Sequence, residues 1–202
     1  MADIMTLLGG NDDLYTEIIK ENLEERILVL NDDITESVLE NYILYIIKWN
    51  KEDKDIPTDK RKPITFYINS PGGSSIDGFN LCDVIMQSKT PVKGVCFALA
   101  ASMGYHIYLA THERFAFKNS IFLQHDGEVC VANSRSKAKD TMKFFDSMEE
   151  RTKQHVLERT KMTEEFYDKV YEQEFWFYAD EAKELGVVDK IIGQDCTLDD
   201  IF

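Results

Sequence analysis

Residues 92–111 read VKGVCFALAASMGYHIYLAT, and the fold follows from this stretch. Residues 92–97 form a short apolar run, which predicts a buried β-strand. The small residues at positions 98–104 are then expected to open a helix that reaches about Thr111. A strand that passes directly into a helix is the repeating unit of α/β proteins.

Strands and helices alternate on both sides of this unit. The hydrophobic patterns predict further strands at residues 26–30, 64–68, 115–117, 120–124, 187–188 and 191–192. They predict helices at residues 14–23, 35–49, 79–86, 136–159 and 179–185, and another helix that begins at Thr163. The alternation predicts an α/β fold with parallel strand pairing. Residues 50–62 are charged and have no apolar period, so we expect a surface loop there.

Length and charge limit the classes of protein that fit. The chain has 202 residues, a length typical of one domain, and no internal repeat or long linker divides it. Its 23 basic and 37 acidic residues give a net charge of −14, and no basic cluster offsets that charge locally. Because such a surface repels phosphate backbones, a nucleic-acid partner is not expected.

The cysteine spacing and the N-terminal residues predict the cellular location of the protein. Cys82, Cys96, Cys130 and Cys196 are widely spaced, without the close pairs of zinc or redox sites, so they are expected to be buried free thiols in a reducing cytoplasm. The first residues lack the basic start and apolar core of a signal peptide. No apolar run approaches the roughly 20 residues that span a bilayer. We therefore expect a cytoplasmic protein with no membrane association.

Two turns between strand and helix carry the chemistry. The first, Ser70-Pro71-Gly72-Gly73-Ser74, allows the backbone to approach a ligand and direct its N–H groups at one point. The glycine patterns of phosphate-binding and dinucleotide-binding loops are both absent. The second turn places Ser102 at a helix start, near free N–H groups that would stabilise the oxyanion formed when a hydroxyl attacks a carbonyl. A helix-capping serine would look the same.

A serine nucleophile needs a base, and the chain has four histidines. His125 follows an apolar strand just before a turn, where catalytic groups are usually presented. His106 lies one helical turn after Ser102 on the same face and remains an alternative. His112 and His155 stand among charged residues and are expected to be solvated.

Four motifs in this order resemble the ClpP family, the proteolytic subunits of the Clp protease. They are YINSPGG at residues 67–73, AASMG at 100–104, Asn119-Ser120 followed by His125, and EAKELGVVD at 181–189. The similarity covers about residues 25–193. It implies a crotonase-like α/β fold with a protruding handle helix, a single peptidase domain at 25–202 with its handle at about 126–160, and an N-terminal segment at 1–24 that belongs to an axial, gating region.

The resemblance also assigns roles. It implies a serine peptidase in which Ser102 is the nucleophile, His125 is the general base, and Gly73 and Met103 donate the backbone N–H groups of an oxyanion hole. The third member of the triad falls on Glu174, where the family has aspartate. Glu172 is a fallback, and Asp126 ranks low because neighbours on an extended segment point to opposite sides.

Assembly and partners are implied in the same way. ClpP-like proteins form two stacked seven-membered rings around the active sites, and a hexameric AAA+ unfoldase feeds them unfolded polypeptides. The helix at 136–159 would interlock the rings, although its apolar stripe would also suit packing on its own domain. The chemistry needs no metal or organic cofactor, and ATP would be used by the separate unfoldase.

The sequence also departs from the family. Asp126-Gly127 stands where Gln-Pro is usual, residues 50–62 look like an insertion, and the N-terminal region matches poorly. Three alternatives follow: a relative that processes one dedicated substrate such as a viral capsid, a catalytically impaired ring subunit with a regulatory or structural role, and a crotonase-type acyl-CoA enzyme.

Overall fold

A predominantly parallel sheet forms the centre of the molecule, seen in a computed structural model that describes residues 12–202. Its strands are β1 (Ile27–Leu30), β2 (Ile64–Ser70), β3 (Val92–Ala101), β4 (Glu113–Phe117), β5 (Ile121–Gln124), β6 (Phe175–Tyr178) and β7 (Lys190–Ile192). The main order is β1-β2-β3-β4-β7, with β5 paired to β3 and β6 paired antiparallel to β5. The expected α/β fold with parallel pairing is confirmed.

Strand β3 divides between two neighbours. Its first half pairs with β4, from Lys93 opposite Glu113 to Cys96 opposite Ala116. Its last three residues pair instead with β5, ending with Ala101 opposite Leu123. Pairing with β5 keeps residues 98–101 extended, so the helix that was expected to open there begins only at Met103. The expected start of this helix was therefore wrong, because the helix begins five residues later than residue 98.

Helices cover the sheet and extend from it. They are α1 (Asp12–Glu24), α2 (Leu44–Glu52), α3 (Ser75–Gln87), α4 (Met103–Ala110), α5 (Arg135–Arg159), α6 (Glu164–Tyr171) and α7 (Ala179–Glu184), with a π-helical turn at Leu39–Ile43 and 3₁₀ turns at Thr58–Lys60 and Leu198–Ile201. The predicted helix at 35–49 therefore starts later than expected. Of the N-terminal segment at 1–24, residues 1–11 lie outside the described residues. No helix in the described part of the chain is long and apolar enough to cross a membrane.

Helix α4 is the centre of the core. All of its residues are buried, and Tyr105 and Tyr108 are fully enclosed. Tyr108 packs on Phe122 with ring centroids 5.3 Å apart, and its hydroxyl donates to the Phe115 carbonyl at 3.0 Å. Burial of each such ring stabilises the fold by roughly 1.5–3 kcal/mol. The turn that precedes α4 is therefore supported by a helix that is buried along its whole length.

Residues 50–62 contain a buried charge, contrary to the expectation of a solvated loop. Asp53 is only 3% exposed. Both of its carboxylate oxygens accept from the Arg26 guanidinium, at 2.6 and 2.9 Å, and the Thr90 hydroxyl donates to it at 2.9 Å. The hydrogen bond from Arg26 lowers the pKa of Asp53. The segment is thus anchored to β1 and to the start of β3.

The C-terminal regions differ from the sequence prediction in two places. Strand β6 was not predicted, and it adds an aromatic edge to the sheet. Residues 187–188 are not a strand, because the N–H groups of Val187 and Val188 both donate to the carbonyl of Ala182, at 2.8 and 3.2 Å. Gly186, at φ +73°, ends α7 as expected.

Helix α5 has two different halves. Towards its start, Met142 and Phe144 are 42% and 55% exposed, so this half projects from the sheet. Towards its end, His155 and Val156 are buried. His155 was expected to be solvated, but its Nε2 lies 3.0 Å from the His106 carbonyl, in contact with α4. Its charged neighbour Lys153 pairs instead with Glu164 and Asp168 of α6.

The cysteines are free, as expected, but not all are buried. Cys82 and Cys96 are enclosed in the core, Cys196 is half-buried, and Cys130 is exposed. Burial raises the pKa of the Cys96 thiol to about 12 and raises that of Cys82 further.

Removal of the Asp53 carboxylate should destabilise the fold. Asp53→Ala leaves the Arg26 guanidinium, 13% exposed, without its partner, and loss of one member of a buried ion pair costs about 3–5 kcal/mol. Urea unfolding followed by circular dichroism measures the change in free energy of unfolding. Asp55→Ala is the matched control, because the Asp55 side chain is 87% exposed and should change that free energy by less than about 0.5 kcal/mol. Equal effects of the two substitutions would show that the Arg26–Asp53 pair does not anchor the segment.

Candidate active site

Ser102 stands at the junction between β3 and α4. Its backbone has φ 51° and ψ −126°, and in the described chain only Arg26 shares a positive φ among residues other than glycine. The Ser102 N–H donates to the Leu123 carbonyl at 3.0 Å, which continues the β3–β5 ladder past the last strand residue. Non-glycine residues held in such sparsely populated conformations cluster at functional sites.

His125 reaches the same place from the neighbouring strand. Because Ala101 is opposite Leu123 in the parallel pair, the ends of β3 and β5 lie side by side. Ser102 and His125 both line one cavity of about 90 Å³. The structure thus places in one cavity the two residues that were predicted from the sequence as nucleophile and base.

The glycine turn after β2 packs directly on Ser102. A Cβ added to Gly72, which has φ +109°, would lie 2.7 Å from Ser102 Cβ and 3.0 Å from the Met103 nitrogen. A Cβ on Gly73, at φ +138°, would lie 2.4 Å from the Ile34 carbonyl oxygen. Both contacts are too close for any side chain, so this turn requires glycine at both positions.

Ile34 holds the turn in position. Its N–H donates to the Gly72 carbonyl and its carbonyl accepts from the Ser74 N–H, each at 2.8 Å. Neither Gly73 nor Met103 uses its own N–H in a backbone hydrogen bond within residues 12–202. Met103 is also the first residue of α4, where the helix dipole favours negative charge. An oxyanion hole requires two such donors, and here one belongs to Met103, next to Ser102 in the chain, and the other to the glycine turn that packs on Ser102.

The imidazole of His125 is half-buried, and its Nε2 is enclosed and has no hydrogen-bond partner in the described part of the chain. No hydrogen bond to Ser102 is formed, although the two residues share the cavity. In unliganded enzymes such hydrogen bonds are often long and tighten only when substrate binds.

Glu174 lies outside the cavity. Its carboxylate is exposed and accepts from the Trp176 indole N–H at 3.1 Å. In the antiparallel β5–β6 pair, Phe175 is opposite Gln124. Glu174 comes just before Phe175 and His125 just after Gln124, so the backbones of Glu174 and His125 lie at the same end of the pair. The side chains of Glu172 and Asp126 are also exposed, and the Asp126 N–H donates to the Tyr171 carbonyl at 3.1 Å. None of the three carboxylates forms a hydrogen bond or an ion pair with the histidine.

The cavity also holds residues that sequence reasoning ranked low or missed. His106, the alternative base, forms part of its wall, as do Tyr171 and Glu149. Burial and the nearby Glu149 carboxylate raise the pKa of Tyr171 to about 12. The spacing of His106 after Ser102 had indicated that it could lie near the site. Tyr171 belongs to α6 and Glu149 to α5, and no sequence motif indicated that either residue would line the cavity. Within residues 12–202 no cluster of three His, Cys, Asp or Glu side chains could hold a metal ion.

Comparisons with known proteins identify the family of the chain. The family model described as Clp protease matches residues 10–195. The chain is 29% identical over 190 residues to ATP-dependent Clp protease proteolytic subunit 1 of Bacillus cereus, covering 93% of each chain. It is 28% identical over 194 residues to the proteolytic subunit 2 of Corynebacterium glutamicum, covering 95% of this chain and 94% of that one.

A solved structure gives the same result for the fold. A ClpP1 mutant from Listeria monocytogenes superposes with a TM-score of 0.76 at 25% identity, covering 92% of this chain and 99% of that one. The α/β architecture with its projecting helix is therefore the ClpP fold. With a family model that spans nearly the whole sequence, the chain belongs to the Clp protease family.

Proposed function

We propose that this protein is a Clp-type serine peptidase that hydrolyses peptide bonds of unfolded polypeptides through an acyl-enzyme. The observation that carries the proposal is that Ser102 and His125 line one cavity while the Gly72–Gly73 turn packs against Ser102. The β2, β3 and β5 strand ends supply these groups, which are far apart in sequence. The curated relatives are proteolytic subunits, in agreement with this chemistry.

The reaction follows from these positions. Ser102 Oγ attacks the substrate carbonyl while His125 Nε2 takes its proton, and the oxyanion accepts from the Gly73 and Met103 N–H groups. Collapse of the tetrahedral intermediate breaks the C–N bond, and His125 returns the proton to the departing amine. Water then attacks the acyl-enzyme with His125 as base, and the carboxylic acid product leaves as Ser102 is restored. No metal or organic cofactor takes part in this scheme.

Glu174 is the proposed third member of the triad. Its place opposite His125 in the β5–β6 register supports this role, although its carboxylate now binds Trp176. Rotation of the side chain away from the indole would direct it towards the imidazole. A carboxylate there would stabilise the imidazolium that forms during the reaction.

We further propose that the peptidase works as a cytoplasmic ring assembly. The projecting half of α5, with exposed Met142 and Phe144, supplies an apolar surface for contact between copies. Two stacked seven-membered rings would enclose the active sites, and a separate AAA+ unfoldase would use ATP to deliver substrate. The chain itself has no nucleotide-binding glycine motif.

A catalytically impaired ring subunit is the second candidate. The outward position of Glu174 favours it, because a histidine without an oriented carboxylate is a weaker base. An acyl-CoA enzyme on this fold would have no use for Ser102 paired with His125. Reaction of the protein with a serine-directed probe separates both alternatives from the peptidase.

Ser102→Ala should abolish peptide hydrolysis and labelling by a fluorophosphonate probe, because it removes the proposed nucleophile. Ser136→Ala, an exposed serine in α5, is the matched control and should keep both activities. Mass spectrometry of the labelled protein identifies the modified residue. Wild-type rings that never react would favour the impaired subunit, and peptide hydrolysis that survives in Ser102→Ala would exclude Ser102 as nucleophile.

Glu174→Ala should lower kcat for peptides by at least about a hundredfold if the carboxylate orients His125. Trp176→Phe removes the indole donor while it keeps the ring, so it releases Glu174 and should leave kcat unchanged or higher. Steady-state kinetics on one fluorogenic peptide compares the two. Unchanged turnover in Glu174→Ala would move the third role to another residue.

Phe144→Glu should disrupt the assembly, because it places a charge on the apolar surface of α5. Ile56→Glu is the control: Ile56 is an exposed apolar residue, 40% accessible, outside the handle. Sedimentation velocity should show a smaller particle only for Phe144→Glu. The same particle size for both variants and the wild type would exclude this surface from the contact.

A further inference from the structure

A buried histidine forms part of the wall of the Ser102 cavity without any role in the proposed reaction. His106 is 5% exposed, and its Nδ1 is enclosed with no hydrogen-bond partner in the described part of the chain. A buried polar atom that lacks a partner is costly and calls for an explanation. Because His106 lines the cavity, a ligand bound there is a candidate partner for its imidazole.

The surroundings of His106 keep its imidazole neutral. The ring lies 5.7 Å from that of Phe79 and 5.8 Å from that of His155, measured between centroids. Burial, and then the neighbouring His155 and His125, hold the pKa of His106 well below its usual value. A neutral imidazole has one N–H and one lone pair, so it can pair with a group that donates or with one that accepts.

The remaining wall mixes apolar and polar residues, and Ser75, Glu128 and Tyr171 belong to its polar part. Phe79, Met103, Phe145 and Met148 contribute carbon and sulfur surface, and the Thr152 hydroxyl already donates to the Met148 carbonyl at 2.9 Å. Glu149 is exposed and adds a negative charge to the lining. The cavity of about 90 Å³ can hold one side chain of moderate size. Among the polar residues that line the cavity, His106 is the buried one.

The position of the cavity identifies the substrate residue that enters it. Both Ser102 and His125 border it, so a side chain bound there belongs to the residue whose carbonyl is attacked. This step rests on the proposed peptidase function. The preference of the cavity would then decide after which residue the polypeptide is cut.

We propose that His106 is a specificity-determining residue that selects an uncharged amide side chain, glutamine or asparagine, immediately before the cleaved bond. An amide offers both a donor and an acceptor to the neutral imidazole. Methionine fits the apolar wall but leaves the imidazole unpaired. Glutamate loses its hydration and meets the Glu149 charge.

The kinetic test uses three fluorogenic peptides that differ only in having Gln, Met or Glu before the cleaved bond. The wild-type kcat/KM should be at least about tenfold higher for Gln than for Met, because a site that pairs with a substrate polar group discriminates against analogues that lack it. His106→Phe keeps an aromatic ring beside Phe79 and should remove or reverse this ratio. His112→Phe, which changes an exposed imidazole beyond the other end of α4, should keep it.

A binding test separates this inference from the proposed function. In Ser102→Ala, product peptides that end in Gln or Met are titrated by calorimetry, with and without His106→Phe and with His106→Met as a second variant. Tighter binding of the Gln peptide that both His106 variants lose supports the inference even if the wild type cleaves nothing. Equal binding of the two peptides, or a Gln preference that survives both variants, overturns it, whether or not the wild type is an active peptidase.

Discussion

The division of β3 between two partner strands is the constraint on which the site depends. The ladder to β4 ends at Cys96, and the ladder to β5 begins at Leu99. Ser120 stands between them: its hydroxyl donates to the Cys96 carbonyl at 2.7 Å and accepts from the Phe117 N–H at 3.1 Å. One side chain therefore satisfies the backbone groups at the fork, and β5 is free to continue beside the end of β3. If β3 did not change partners, β5 would not run beside the end of β3, and His125 would not be placed near Ser102.

Close packing of backbone on backbone adds the second half of the site. Gly72 touches Ser102 and Gly73 touches Ile34, at separations that exclude a Cβ. Gly104 packs against the Ser70 carbonyl in the same way, since a Cβ there would lie 3.0 Å from its oxygen. The ends of β2 and β3 are thus fixed relative to each other before any side chain takes part. Preorganised donors of this kind stabilise charge without reorganisation during the reaction, which is why their positions matter more than their number.

Part of this arrangement could be predicted from local patterns in the sequence. The strand–turn–helix pattern singled out Ser102 without excluding a capping serine, the apolar strand before a turn favoured His125 over His106, and the paired glycines marked a turn that could direct N–H groups at a ligand. The roles of these residues in a peptidase came from the resemblance to the family. What could not be predicted depends on distant pairing. The extension of β3 to Ala101 and the existence of β6 follow from their contacts with β5, and neither leaves a periodic signal in so short a segment.

Side-chain environments were harder to predict than backbone elements. His155 and Asp53 stand among charged residues in the sequence, yet both are buried, because each finds a specific partner across the fold. The bond from Trp176 to Glu174 is a further case, since it depends on a rotamer and not on the strand register. Burial of a polar group is decided by the partner that it meets, and composition does not reveal that partner.

The unequal burial of the cysteines has a practical consequence. Cys82 and Cys96 are enclosed and have raised pKa values, and the pKa of the half-buried Cys196 is raised as well. Cys130 is exposed and follows Gly127, Glu128 and Val129, which border the Ser102 cavity. A maleimide fluorophore or a nitroxide would thus attach first at Cys130. The native chain already carries a spectroscopic reporter position next to the substrate cavity, with no need for cysteine engineering.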